Sequence, residues 1–150
     1  MKKMLLVTIL FIVPFLVLLA PDSGAVLIFT RNPIQCITSP QEVLQAIIYI
    51  ESGNGGAGVY NRNEPQAVGI LQIWPIVVRD VNRIIGYEKY RPKDRLNNKK
   101  AKEMFWIYQK YYNPSLNPDK MARIWCGGPD GAEQDCTLSY LRLVKHRLYP

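Results

Sequence analysis

The sequence predicts an all-α fold, a single domain of about five helices behind an N-terminal export segment. Three observations carry this. Apolar residues recur at helical spacing in five separate stretches of the chain. Most of these stretches open on a capping side chain or a proline and close on glycine or Asn-Pro. The alternating apolar runs that would mark strands are short and lack hairpin turns.

Residues 1–25 read as the export segment. Lys2 and Lys3 form a charged start, Met4 to Ala20 is nearly all apolar, and Ser23-Gly24-Ala25 supplies small residues for cleavage, after Ala20 or Ala25. About 17 apolar residues also just span a bilayer, so an uncleaved anchor is the alternative, and a membrane is a partner only in that case. Pro14 inside the run and the Pro21-Asp22-Ser23-Gly24 break favour cleavage. The expected location is outside the cytoplasm: periplasm, cell envelope or extracellular space. Residues 26–39 form a lead-in, and residues 40–148 the domain.

Ser39-Pro40-x-Glu42 predicts the first helix start, with Ser39 as cap, Pro40 at the first helical position and Glu42 closing a capping box. Val43, Leu44, Ile47, Ile48 and Ile50 give it an apolar face. Ser52-Gly53-Asn54-Gly55-Gly56 stops it and opens a loop of about fifteen residues, a length more often functional than idle. Gly69 to Ile73 is a short apolar turn. The second helix is predicted over Pro75 to Ile85, with Val77, Val78, Val81, Ile84 and Ile85 inward and Gly86 ending it. Gly86 to Leu96 is a charged, tyrosine-bearing connection. Asn97 or Asn98 caps a third helix to about Tyr112, stopped by Asn113-Pro114. The fourth runs from Pro118 to Cys126, closed by Gly127-Gly128. Asp135 or Thr137 caps the last, through Leu138, Leu141, Leu143, Val144 and Leu148.

Without residues 1–25 the chain keeps 17 basic and 11 acidic side chains, a net charge of +6, which suits an anionic partner. Interleaved pairs such as Arg79-Asp80 and Glu88-Lys89 resemble a solvated surface rather than a nucleic-acid stripe, and no DNA or RNA motif is present. The three cysteines, Cys36, Cys126 and Cys136, allow one pair in an oxidising compartment. Cys126 with Cys136 is favoured, and free buried thiols are the alternative. A single histidine, His146, argues against a zinc site of His and Cys. Neither a metal nor an organic cofactor is expected.

Glu51 stands at the end of an apolar helix and at the mouth of the Gly/Asn loop. Burial there would raise its pKa while the loop leaves room for a polar substrate, as general acid/base chemistry requires. As a surface residue it would be disfavoured by the helix dipole. Gln72 sits among Ile70, Leu71 and Ile73, where it either meets substrate or bonds a buried backbone group. Trp125 is the tryptophan expected near a groove; Trp74 and Trp106 read as core, and Tyr108, Tyr111 and Tyr112 as packing plus surface.

Four segments, taken together and in order, resemble the lytic transglycosylase (SLT-type) domain, a lysozyme-like fold that cleaves peptidoglycan. They are Glu51-Ser52, Ala67-Val68-Gly69-Ile70-Leu71-Gln72-Ile73, Ala122-Arg123-Ile124-Trp125-Cys126-Gly127-Gly128-Pro129-x-Gly131, and Thr137-Leu138-Ser139-Tyr140 leading into Val144. The resemblance covers roughly residues 40–148. It implies that Glu51 is the catalytic acid/base and that Ser52, Gly69, Leu71 and Gln72 line the sugar site. It further implies that Arg123, Trp125 and Gly127 flank the groove and that Tyr140 orients Glu51. Peptidoglycan glycan strands are the implied partner, within a cell-envelope assembly or alone.

This chain departs from the family in having Cys126 where Asn is usual, and in the length of its Gly-rich loop. A protonated Glu51 would donate to the glycosidic oxygen. No second carboxylate is clearly placed along the chain: Glu42 lies about two and a half helical turns back, and Glu64 is in the loop. A one-carboxylate reaction ending in 1,6-anhydromuramic acid fits that sequence. The alternatives are a hydrolytic muramidase similar to goose-type lysozyme, using Glu64 to hold water, and a wall-binding module without turnover. A Cys126–His146 peptidase lacks an orienting third group.

Overall fold

Three of the five helices described start on a capping side chain that the sequence supplies. The last, expected to be capped by Asp135 or Thr137, has no side-chain cap, because the Thr137 hydroxyl donates to the Gly131 and Gln134 carbonyls instead. In the computed structural model, which describes residues 38–53 and 66–150, α1 spans Pro40–Ser52. The expected export segment, the lead-in to residue 37 with Cys36, and the loop 54–65 with Gly55, Gly56 and Glu64 lie outside the described residues. At the head of α1, Ser39 and Glu42 complete the capping box: the Ser39 N–H donates to Glu42 Oε2 over 2.7 Å and the Glu42 N–H to Ser39 Oγ over 3.3 Å. Gly53 ends the helix in the left-handed conformation at φ 58°, its N–H bonding the Tyr49 carbonyl.

The remaining helices are α2 (Pro75–Ile85), α3 (Asn98–Tyr112), α4 (Pro118–Gly127) and α5 (Leu138–Leu148). Asn97 and Asn117 each accept a hydrogen bond from the third residue beyond, capping α3 and α4. Among the described residues there are five α-helices and no strand, only one isolated bridge between Val68 and Ile73. Two short 3₁₀ turns, Pro92–Leu96 and Gly131–Glu133, occupy stretches that the sequence reads as plain connections, and a third, Asp135–Thr137, spans both residues expected to cap the last helix.

The core forms where α1 packs on α4 and α5 and α2 packs on α3. Leu44 and Ile47 of α1, Leu71 of the turn, Met104 and Phe105 of α3, Met121 and Ile124 of α4, and Val144 of α5 are all fully buried within it. Leu143 departs from its expected inward position. It is 57% exposed, because a single helical step of about 100° turns it away from the face that buries Val144.

Two polar anchors hold elements together. Fully buried Gln109 on α3 donates to the Met121 carbonyl of α4 over 3.1 Å. Arg95 donates to the carbonyls of Gln66 (2.6 Å) and Ile73 (2.8 Å), clamping both sides of the 66–73 turn. Tight contact explains Gly69 in that turn: its φ is +81°, and an added Cβ would sit 2.1 Å from the Arg95 carbonyl oxygen.

Candidate active site

The last turn of α1 places Glu51 against the first turn of α5. The Tyr140 hydroxyl donates to Glu51 Oε1 over 2.5 Å, joining residues 89 positions apart. Burial raises the Glu51 carboxyl above its ordinary value of 4.5, and the Tyr140 hydrogen bond offsets only part of that. The negative end of the α1 dipole acts in the same direction as burial. Tyr140 is pushed up by burial and by the Glu51 charge, so it stays a neutral donor.

Glu51 opens onto a groove of about 870 Å³, toward the upper end of the range for ligand sites. Gln72, Trp74, Tyr108, Trp125, Cys126, Pro129 and Tyr140 line it with Glu51, and α2 supplies Ile76, Val77, Arg79, Asp80 and Arg83. Trp125 is fixed by aromatic packing, its ring centroid 4.9 Å from Phe105 and 6.2 Å edge-on to Tyr108.

Gln72 adopts φ 46°, unusual for a residue with a side chain. The turn holds it: its backbone N–H and its Nε2 both donate to the Gly69 carbonyl, at 3.0 and 2.8 Å. Only 7% exposed, it leaves Oε1 without a partner among the described residues.

Asp80 is a second carboxylate in the groove, and its oxygens are occupied. Arg83 reaches Oδ1 at 2.7 Å and the Tyr112 hydroxyl donates to Oδ2 at 2.6 Å, while Arg83 also donates to the Tyr112 oxygen at 2.8 Å. The Asp80 charge bears on Tyr108 and Tyr112, raising both phenols further beyond what burial does.

Of the residues expected at the site, the groove brings together Glu51, Gln72, Trp125 and Tyr140. The others stand elsewhere. Ser52 bonds back to the Ile48 carbonyl over 2.9 Å, Leu71 is core, and Gly69 faces Arg95. Arg123 turns to the α4–α5 connection, donating to Thr137 Oγ1 and the Gln134 carbonyl at 2.9 Å each. Gly127 is packed so closely that an added Cβ would lie 2.6 Å from the Thr137 methyl.

The sequence reading missed Trp74, 40% exposed in the groove rather than core, and Asp80, Arg83, Tyr108 and Tyr112. A signal was there: Asp80 and Arg83, and Tyr108 and Tyr112, are spaced three and four apart on helix faces, the spacing of side chains that meet. Cys126 and Cys136 are unbonded and both exposed, so neither the expected pair nor the buried-thiol alternative describes them. Among the described residues no group of three or more His, Cys, Asp and Glu side chains could hold a metal ion. Comparison of the chain with protein-family models, curated proteins and solved structures gave no match.

Proposed function

We propose that the protein is a peptidoglycan lytic transglycosylase with a lysozyme-like fold, in which Glu51 is the single general acid/base. The observation that carries this reading is a half-buried carboxyl with a raised pKa, held by the Tyr140 hydroxyl beside a groove walled by tryptophan and tyrosine. The aromatic walls suit sugar rings, and a carboxyl protonated above its ordinary range suits donation to a glycosidic oxygen. With Tyr140 bonded to Oε1, Oε2 carries the proton to be transferred. As the C–O bond breaks, the sugar becomes oxocarbenium-like, and its own N-acetyl oxygen stabilises C1. The ionised Glu51 then takes the proton of the 6-hydroxyl as that oxygen closes on C1, giving a 1,6-anhydro end with no water consumed.

The occupied state of Asp80 supports the one-carboxylate route over hydrolysis. A carboxylate already engaged by Arg83 and Tyr112 is poorly placed to activate a water. The test is to incubate the purified protein and its Glu51→Gln variant with peptidoglycan and identify the released fragments by mass spectrometry. Anhydro-ended fragments from the wild type alone are expected. Reducing ends would replace this reading with hydrolysis, and equal release by the variant would remove Glu51 from the chemistry. Wall binding without release would point to a binding module.

A further inference from the structure

We propose that Arg79 selects the ligand of the groove by binding a carboxylate carried on a short apolar chain of the glycan. On the wall-glycan reading of the groove, on which this inference rests, that carboxylate belongs to the muramic acid unit. It is either the free lactyl group of a strand stripped of peptide or a carboxylate of the stem peptide attached there.

Among the described residues the groove wall carries four charged side chains, Glu51, Arg79, Asp80 and Arg83. Three of them are satisfied within the protein. Asp80 and Arg83 form an ion pair at 2.7 Å, and the other Asp80 oxygen accepts from Tyr112 at 2.6 Å. Arg83 also lies over the Tyr111 ring, 5.5 Å from its centroid. Glu51 accepts from Tyr140, and burial favours its neutral form. Arg79 differs: it is exposed and makes no hydrogen bond or ion pair with any described residue. Asp80 is its neighbour in sequence, but adjacent side chains on a helix do not face each other, and both Asp80 oxygens are taken. The described wall therefore presents one uncompensated charge, and it is a cation.

The surroundings of Arg79 narrow the ligand further. Ile76 lies three positions earlier on α2, a spacing at which helix side chains meet, and it is 56% exposed in the groove wall. A guanidinium offers two parallel donors to a carboxylate, and an exposed isoleucine beside it offers apolar contact to a methyl group. A lactyl group and an alanine residue both carry a methyl on the carbon that bears the carboxyl. A plain N-acetylglucosamine strand has neither group, so Arg79 would distinguish a muramic strand from a neutral one of the same backbone. Sugar rings against the aromatic walls give affinity common to both, and the carboxylate gives the difference.

The test measures, by calorimetry, how soluble glycan strands bind the full chain and its Arg79→Gln variant. Strands stripped of peptide and strands carrying it are each used before and after their carboxylates are converted to amides. The variant should keep the wild-type melting temperature, because Arg79 bonds no described residue, and should bind unmodified strands about tenfold more weakly. On amidated strands the two proteins should bind alike, since the two changes remove one interaction. A loss on stripped strands would identify the lactyl carboxylate, and a loss confined to peptide-bearing strands a stem carboxylate. Equal affinity for unmodified strands, or the same loss on amidated ones, would overturn the proposal while leaving the cleavage reading intact wherever anhydro ends are still released. Arg79-dependent binding without such release would instead remove the cleavage reading and keep the carboxylate site. A wild type that binds no strand would overturn both.

Discussion

At the scale of the residue, the Glu51–Tyr140 pair ties stability and the proposed activity to one titration. Folding raises the Glu51 pKa from about 4.5, so the fold favours the protonated carboxyl. Its contribution is fully present below the unfolded value and is lost as pH rises through the folded one. Glu51→Gln, which cannot ionise, should therefore unfold a few degrees higher than wild type at pH 7, an effect on the order of 1 kcal/mol. That gap should close below about pH 4, where both side chains are neutral. A variant less stable than wild type at neutral pH would contradict the burial argument. In the proposed reaction the same titration sets activity: the first step would need a protonated Glu51, so kcat/KM should fall as pH rises through its folded pKa. Tyr140→Phe removes the one hydrogen bond that lowers this pKa, so the falling limb should move to higher pH while the rate drops about 10–100-fold from lost orientation. A pH–rate profile checks both, and an unmoved limb would leave Tyr140 a packing residue only.

At the scale of the element, the 66–73 turn is the most demanding piece of backbone described. Gly69→Ala combines a positive φ with a clash against the Arg95 carbonyl and should cost about 2–4 kcal/mol in denaturant unfolding. Gly53→Ala is the comparison: it also has a positive φ but nothing within 4 Å, and it should cost about 1 kcal/mol. Equal losses would mean that the Arg95 contact is not what fixes the turn. Helix limits were legible because caps are local chemistry. Ser39 with Glu42, Pro75 with Gly86, and Asn117-Pro118 each bond or constrain residues within a turn of themselves. The role of Arg123 was not legible, because its partners Thr137 and Gln134 are 14 and 11 residues away. The 3₁₀ turns escaped because polar bonds rather than apolar periodicity hold them, such as those from the Arg91 N–H to Asp94 and from Thr137 to the Gly131 carbonyl.

At the scale of the whole molecule, the site was legible where chemistry narrows the residue types and obscure where only assembly does. A lone acid at the end of an apolar helix stands out, whereas Asp80 and Tyr112 become groove residues only once α2 and α3 lie side by side. Charge is the property whose consequence reaches furthest. The segment from Arg79 to Glu103 carries nine basic and four acidic side chains, most of the net charge of residues 26–150. Lys99, Lys100 and Lys102 sit near the start of α3, whose first turn holds no acid, although the positive end of a helix disfavours cations. Lys100 is accounted for by its 2.8 Å ion pair with Asp94, whereas the proposed function gives Lys99 and Lys102 a use in attraction to an anionic wall. Lys99→Gln should then act with opposite signs on two measurements: unfolding should become harder by about 0.3–1 kcal/mol, and binding to sedimented peptidoglycan should weaken. Wild-type binding should itself fall steeply between about 0.1 and 1 M salt, as the screening length shrinks from about 10 to 3 Å. Binding indifferent to both salt and Lys99 would detach this basic stretch from the wall and leave recognition to the aromatic groove alone.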